Sequence, residues 1–361
     1  FGHFGDRVGR KRTLVVALMM MGVATTLIGL LPTYDSIGLA APLCLVLLRF
    51  IQGLAVGGQW GGAMLLVTES APADKRGWYG AYAQAGAPMG VILANLAFIS
   101  VSASMSDEAF LAWGWRLPFI ASILLIAISL YIQLRMEDTE AFKALQAEQA
   151  ASPQQAVAER SPVFEAMRRY PRRILLAAGA FLSVQVTFYI LIAFVIAYGL
   201  NSPTVDLTRD ELLVSVLVAA AIMMPAQFYF SGLSDRVGRK QIYRWGAILT
   251  GIWGFAIFPL VDTGMPIMIT LAVTMGMVLL GMQYGPQAAY FTELFATEVR
   301  YSGASLGYQI GAILGGALAP TIAVLLWQEL GIIYVSVYIL VAALLTLWCL
   351  SQLEETGGKA L

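Results

Sequence analysis

Long apolar runs alternate with short polar segments along the whole chain. A helix of about 20 residues spans the hydrocarbon core of a bilayer, and ten runs reach roughly this length. Charged residues are concentrated between the runs. The pattern therefore predicts ten membrane-spanning helices, at residues 12–31, 41–67, 77–100, 115–136, 173–199, 211–231, 242–261, 266–291, 300–326 and 332–350.

The composition agrees with an all-α polytopic membrane protein. Only 12% of residues are charged and 59% are hydrophobic, whereas a soluble domain needs roughly twice that charged fraction. The net charge is zero, so only the distribution of charge is informative. Lys and Arg cluster beside alternate helix ends, and the positive-inside rule then places the Arg-rich loops and the C-terminus in the cytoplasm. No nucleophile, metal-ligand or acid–base constellation indicates an enzyme, and we expect no cofactor and no nucleic-acid partner.

Two segments occur twice in the chain. The hexapeptide DRVGRK stands at 6–11 and again at 235–240, each time beside a long apolar run, and residues 68–87 resemble residues 292–312. Two related halves account for this repetition, as in many secondary transporters.

The repeat also predicts the domain organisation. We expect an N-terminal bundle at 1–136, a cytoplasmic linker at 137–172 and a C-terminal six-helix bundle at 173–361. Within the second half, two predicted helices precede the hexapeptide, whereas in the first half none does. The sequence therefore leads us to expect a 6+6 protein whose first two helices are not part of this chain.

Both hexapeptides belong to a longer loop pattern, Gly-x-x-x-Asp-Arg-x-Gly-Arg-Lys. The first copy fits as Gly2, Asp6, Arg7, Gly9, Arg10 and Lys11, and the second, one residue shorter before its Asp, as Gly232, Asp235, Arg236, Gly238, Arg239 and Lys240. With the stretches RFIQGLAVGGQWGGAMLLVTESAP, GWGWRLPF and FTELFATEVRYSGASLGYQIG, the chain resembles the major facilitator superfamily in its metabolite:proton symporter branch. The resemblance covers the whole chain. It implies a transporter of shikimate, 2-oxoglutarate, citrate, proline or betaine, without identifying one of them.

The resemblance implies that the loops form a cytoplasmic gate. Carboxylates near helix N-termini and guanidinium groups near C-termini are favourable, and such contacts can form in one conformation and break in another. The alternative is that these charges only set the orientation in the membrane. The predicted gate comprises Gly2, Asp6, Arg7, Gly9, Arg10, Glu69, Arg76, Asp235, Arg236, Gly238, Arg239, Glu293 and Arg300.

Polar side chains within the helices are candidates for a substrate site. Arg49 lies about eight residues into the second helix, roughly 12 Å deep, where a charge is costly unless it is paired or hydrated. A cation there suits an anionic substrate or a coupling carboxylate. The alternative for each polar residue is hydrogen bonding between helices without any substrate. The predicted cavity residues are Arg49, Gln52, Gln59, Trp60, Gln84, Asn95, Gln185, Tyr189, Gln283, Gln287 and Gln309.

The sequence thus predicts a monomeric transporter of the bacterial-type inner membrane. It would take up a small organic metabolite, such as shikimate or a di- or tricarboxylate, with a proton by alternating access. The proton comes from the resemblance alone, because no carboxylate lies at mid-depth in the predicted helices. Four alternatives stay open: a uniporter, a carrier for a zwitterionic osmolyte or a sugar, a non-transporting receptor, and an inactive fragment.

Overall fold

The structure, a computed structural model, describes residues 10–135, 162–203, 205, 207–296 and 299–357. Across these residues the regular structure is helical, and ten helices are long and apolar enough to cross a membrane. The predicted number of spans is therefore confirmed. In chain order they are α1 Lys11–Leu30, α2 Ala40–Ser70, α3 Ala73–Ala103, α4 Gly114–Ile132, α5 Pro171–Asn201, α6 Arg209–Val237, α7 Arg239–Val261, α8 Pro266–Glu293, α9 Arg300–Leu330 and α10 Ile333–Gln352.

Local chemistry fixes both ends of α6. Its first turn carries a capping box, in which the side chains of Thr208 and Glu211 each bind the other's backbone N–H. Such a box satisfies N–H groups that would otherwise lack partners. At the other end Gly238 has a φ of +109°, which glycine adopts without the penalty of a side chain. Only this residue separates α6 from α7.

The helices pack in two groups that meet along α2 and α3. In the first group α1 packs against α2 and α4, whereas α5 to α10 form the second. Helix α3 packs on α6 and α8, and α2 packs on α9. The predicted linker at 137–172 lies mainly outside the described residues. Its described end is a short amphipathic helix, Pro162–Arg169, so the domain boundaries stay a prediction.

Four of the ten spans depart from regular α-helix, and α4 is one of them, with a turn at residues 121–122. Helix α3 is interrupted at Ala85, α5 contains a π-helical turn at Ile190–Phe194, and α9 contains another at Ala312–Ala317. Such turns are common at functional sites. In α5 the turn directly follows the predicted cavity residue Tyr189. Side chains before and after each interruption therefore point in directions that a regular α-helix would not give them.

Several helix ends meet at one end of the bundle. The ends of α2, α6 and α8, at Ser70, Val237 and Glu293, meet the starts of α3, α7 and α9. We call this end of the bundle the inner face and the opposite end the outer face. The charge pattern predicts that the inner face is cytoplasmic.

Candidate functional site

Two ion pairs cross between the helix groups at the inner face. Glu69 at the end of α2 pairs with Arg300 at the start of α9, with Oε1 and Nη1 3.2 Å apart. Arg76 at the start of α3 lies 3.9 Å from Glu293 at the end of α8. All four side chains are buried. Since Glu69 and Arg76 correspond to Glu293 and Arg300 in the sequence repeat, each half supplies one acid and one base to the other half.

Asp235 of the second hexapeptide binds the other half through backbone groups. Its carboxylate accepts the N–H of Gly77 at 2.8 Å and that of Trp78 at 2.9 Å, both in the first turn of the α-helical part of α3, which begins at Arg76. A carboxylate is favourable there because the first N–H groups of a helix lack intrahelical partners and carry a positive partial charge. The predicted gate residue thus joins the two helix groups at the inner face by capping a helix of the other half.

Arg239 connects this cap to the ion pairs. Its Nη1 donates to Oδ1 of Asp235 at 2.8 Å, while its Nε and Nη2 bind the two oxygens of Glu293 at 2.7 and 2.9 Å. Its side chain is 1% exposed, and a buried charge of this kind needs such full compensation. We call Glu69, Arg76, Asp235, Arg239, Glu293 and Arg300 the inner gate.

A glycine allows the two halves to approach this closely. A Cβ on Gly77 would lie 2.7 Å from Nη1 of Arg239 and 2.8 Å from Oδ1 of Asp235. Any larger residue would therefore displace the groups that bind the start of α3.

The remaining predicted gate residues are placed only in part. Gly2, Asp6, Arg7 and Gly9 lie outside the described residues, as does the side chain of Arg10. Gly238 forms the turn between α6 and α7. Arg236 is exposed and, with Lys75, Trp78, Tyr79 and Tyr229 among others, lines a cavity of about 830 Å³ at the inner face.

A smaller cavity lies among helices of both groups, farther from the inner face. Its volume is about 150 Å³, and it brings the predicted residues Gln185 and Tyr189 of α5 together. We call it the central cavity. Its lining residues are Ala87, Val184, Gln185, Phe188, Tyr189, Met223, Leu280, Tyr284 and Tyr308.

Trp60 and Gln84 connect the first helix group to the wall of the central cavity. The indole of Trp60 stacks on Tyr308, with ring centroids 4.4 Å apart, and also contacts Phe181. Its Nε1 donates to Oε1 of Gln84 at 3.3 Å, and Nε2 of Gln84 donates to the carbonyl of Tyr284 at 2.8 Å. Trp60 is ten residues from the end of α2, roughly 15 Å along the helix. It therefore lies at about the depth of the cavity residues Tyr284 and Tyr308.

Arg49 and Gln52 lie outside the central cavity. Nη1 of Arg49 donates to Oε1 of Gln52 at 3.3 Å, and Nε2 of Gln52 donates to Oγ1 of Thr25 in α1 at 2.6 Å. Arg49 is exposed and lines a separate cavity of about 420 Å³ among α1, α2 and α4. Eleven residues, or about three turns, separate it from Trp60 on the same side of α2. The predicted cation therefore lies roughly 16 Å farther toward the outer face.

Gln283 and Gln287 face α7. Nε2 of Gln283 donates to Oγ1 of Thr250 at 2.7 Å, and Nε2 of Gln287 donates to the hydroxyl of Tyr243. Both side chains are fully buried in this contact. Their placement corresponds to the interhelical hydrogen bonding that the sequence left open.

Three further predicted residues are dispersed. Asn95 donates to the carbonyl of Val91 in its own helix at 2.8 Å. Gln309 of α9 lies beside Gly57 of α2, where the two helix groups meet. Gln59 is partly exposed on α2. The structure does not gather these side chains around the central cavity.

Tyr308 was not among the predicted cavity residues. This ring forms part of the cavity wall and stacks on Trp60. Its position next to Gln309, in a helix with glycine at every fourth position, was the available signal. Aromatic residues are frequent in membrane helices, and their spacing alone does not separate cavity from lipid.

The chain is similar to known membrane transporters. The sequence matches the Major Facilitator Superfamily over residues 1–304. The inner membrane metabolite transport protein YhjE of Escherichia coli K12 is 40% identical over 369 residues, which cover 100% of this chain and 81% of YhjE. The shikimate transporter of the same strain is 38% identical over 324 residues, which cover 90% of this chain and 72% of that protein.

More distant relatives are also transporters. The proline/betaine transporter of Escherichia coli K12 is 29% identical over 367 residues, covering 100% of this chain and 72% of that protein. Among solved structures, the proton:xylose symporter XylE bound to 6-bromo-6-deoxy-D-glucose superposes with a TM-score of 0.79 at 17% identity. The match covers 99% of this chain and 83% of that one. At this identity the likeness shows the fold.

The fold and the relatives define a multi-pass membrane transporter. The chain belongs to the Major Facilitator Superfamily, a family of transporters and not of enzymes. The predicted resemblance to its metabolite:proton symporter branch is confirmed at the level of relatives. A transported small molecule follows from family membership.

Proposed function

We propose that this transporter takes up a small organic metabolite with a proton across the bacterial inner membrane by alternating access. The observation that carries the proposal is the inner gate. Its contacts run between the two helix groups. They involve charged side chains that water can solvate when the two helix groups separate. A rocking motion would therefore exchange one set of satisfied partners for another.

The described arrangement corresponds to a transporter closed at its inner face. The crossed ion pairs and the cap of α3 by Asp235 join the halves there, and Trp60 stacks on Tyr308 in the wall of the central cavity. Release of substrate to the cytoplasm then requires two events. The gate contacts must break, and the Trp60 indole must leave Tyr308.

A carboxylate is the substrate class that Arg49 supports best. Its guanidinium is the charged group that lines the cavity of about 420 Å³ among α1, α2 and α4, and a guanidinium binds a carboxylate through two parallel hydrogen bonds. The shikimate transporter among the relatives agrees with this choice. In this proposal Arg49 attracts the anion on its way to the central cavity.

A zwitterionic osmolyte is the second candidate. Rings of Phe188, Tyr189, Tyr284 and Tyr308 line the central cavity, and aromatic faces attract quaternary ammonium groups. The proline/betaine transporters among the relatives are consistent with this alternative. The two candidates differ in which side chain should be indispensable.

Counterflow in proteoliposomes tests the proposal. Vesicles loaded with shikimate, 2-oxoglutarate, citrate, proline or betaine are diluted into trace radiolabelled substrate, and the accumulating compound identifies the class. Arg49→Gln should abolish exchange of a carboxylate, with Arg169→Gln, an exposed change of the same type, as the control. Tyr308→Leu should abolish exchange of betaine, with Tyr334→Leu at an exposed position as the control.

Proton coupling has its own measurement. An inward proton gradient should drive accumulation, and a protonophore should remove it. Equal uptake with and without the gradient would indicate a uniporter. Binding of a substrate without any exchange would indicate a receptor or an inactive fragment.

A further inference from the structure

The chain binds the start of α7 with the residues that follow α10. Oε1 of Glu355 accepts the N–H of Arg239 and Oε2 accepts that of Lys240, both at 3.0 Å. The same Oε1 accepts the N–H groups of Thr356 at 3.0 Å and Gly357 at 3.1 Å. Four backbone N–H groups therefore converge on one carboxylate.

Helix α7 has no cap from its own sequence. Its N-cap residue is Gly238, which carries no side chain, and the first N–H groups of a helix require partners. Glu355 supplies a carboxylate, which the helix dipole also favours. A Cβ on Gly238 would lie 2.9 Å from Oε2 of Glu355. The turn and the cap therefore fit each other only with glycine at this position.

Neighbouring contacts hold the segment in place. Nζ of Lys240 donates to the carbonyl of Leu353 at 2.5 Å, and the hydroxyl of Tyr290 donates to the carbonyl of Glu354 at 2.9 Å. The Glu354 side chain pairs with Arg173 at 2.9 Å. These contacts attach residues 353–357 to α5, α7 and α8, all in the second helix group.

The sequence contains a counterpart of this segment. Glu354-Glu355-Thr356 follows the last predicted helix of the second half, and Glu137-Asp138-Thr139 follows the last predicted helix of the first half. The latter residues lie outside the described part of the chain. An acidic residue directly before Thr thus follows the last predicted helix of each half.

We propose that Glu355 is a positioning residue of the inner gate. It fixes the backbone at Arg239, the residue whose guanidinium holds Asp235 and Glu293 in the geometry that closes the inner face. Asp235 in turn caps α3 of the other half. A segment beyond the last helix thereby controls a contact between the two helix groups, to which it contributes no group of its own.

The expected effect follows from the loss of a helix cap. This inference rests on the alternating-access function proposed above. Removing an N-cap acceptor commonly weakens a helix start enough to change an equilibrium about fivefold. Because the loosened residue is Arg239, the change should favour the conformation that is open at the inner face.

Thiol labelling at Ser305 measures this conformation. Ser305 lies on α9 against Gly61 of α2 and is 7% exposed, so it becomes accessible when the helix groups separate. Ser305→Cys is introduced after Cys44→Ser and Cys349→Ala, and the labelling rate with N-ethylmaleimide is followed in membranes. This readout needs no knowledge of the substrate.

Four variants separate the outcomes. Glu355→Ala should label about fivefold faster than the parent, and Glu355→Gln, which keeps one acceptor oxygen and the same shape, should label at an intermediate rate. Glu354→Gln, a matched loss of charge one residue away, should equal the parent, because its ion pair is half-exposed. Asp235→Asn should label faster as well.

The results distinguish this inference from the proposed function. Parent-like labelling of both Glu355 variants, with faster labelling of Asp235→Asn, would overturn the role of Glu355 and leave the gate intact. Equal acceleration by the Glu354 and Glu355 variants would also overturn it. No acceleration by Asp235→Asn would contradict the gate itself, and the positioning role with it.

Discussion

Neutralising Glu69 should shift the equilibrium between the closed and open conformations of the inner face about 150-fold toward the open one. Its carboxylate is 3.2 Å from Arg300, and the two side chains are 0% and 4% exposed. Glu69→Gln leaves a buried guanidinium without this countercharge, which costs about 3–5 kcal/mol in comparable pairs. The lower value applies here, since Arg300 keeps a bond from Nε to the carbonyl of Phe295. The cost falls on the closed state, because water hydrates Arg300 once the halves separate.

Pulsed electron paramagnetic resonance measures the shift. Nitroxide labels at Lys75 and Ser351, both exposed at the inner face in different helix groups, should change from a short to a long distance. Glu165→Gln is the matched control, because its pair with Arg169 is exposed and lies within one short helix. Exposed pairs of this kind contribute less than about 1 kcal/mol.

A double-mutant cycle shows whether the pair itself is responsible. Glu69→Gln combined with Arg300→Gln should cost less than the sum of the single changes, with a coupling of about 0.5–3 kcal/mol. Exchanging the two residues, as Glu69→Arg with Arg300→Glu, should restore part of the closed population. Additive single effects, or distance distributions equal to those of the parent, would refute the assignment of this pair to the gate.

Three further changes test separate parts of the structure. Gly77→Ala should prevent closure and lower accumulation at least tenfold, as its Cβ would lie 2.7 Å from a gate guanidinium nitrogen; Gly90→Ala, with open space around it, should transport normally. Gly238→Ala should lower the melting temperature of the purified protein by a few degrees, because a side chain at φ +109° costs about 1–3 kcal/mol. Gln283→Leu should alter thermal stability through the lost bond to Thr250 and leave the KM for substrate within twofold, and a large KM change would contradict its placement against α7.

The helices could be predicted because they depend on local sequence, and so could the charged residues at the described helix ends of the inner face. Length and apolarity identify a membrane span without knowledge of its neighbours, and the duplicated loop marks charged residues at corresponding helix ends. The repeat does not show that Glu69 and Glu293 each pair with an arginine of the other half. This pairing depends on how one half packs on the other, which neither copy of the motif encodes.

The cavity was less predictable for a geometric reason. Spacing shows which polar side chains share one face of a helix, but it does not show which neighbour that face contacts. Gln185 and Gln283 are the same residue type within long apolar helices, yet one lines the central cavity and the other binds α7. The break at Ala85 adds to the difficulty, because it changes the facing of residues beyond it.

The crossed ion pairs have the form of a dimer interface within a single chain. Glu of one repeat meets Arg of the other, and the reverse contact exists as well, which is the reciprocity that defines an isologous two-fold interface. A six-helix unit with these two residues could join a second copy of itself through the same surfaces. Fusion into one chain lets the two contacts diverge, since a substitution now alters one of them and leaves its counterpart intact. The inner gate is therefore free to become asymmetric.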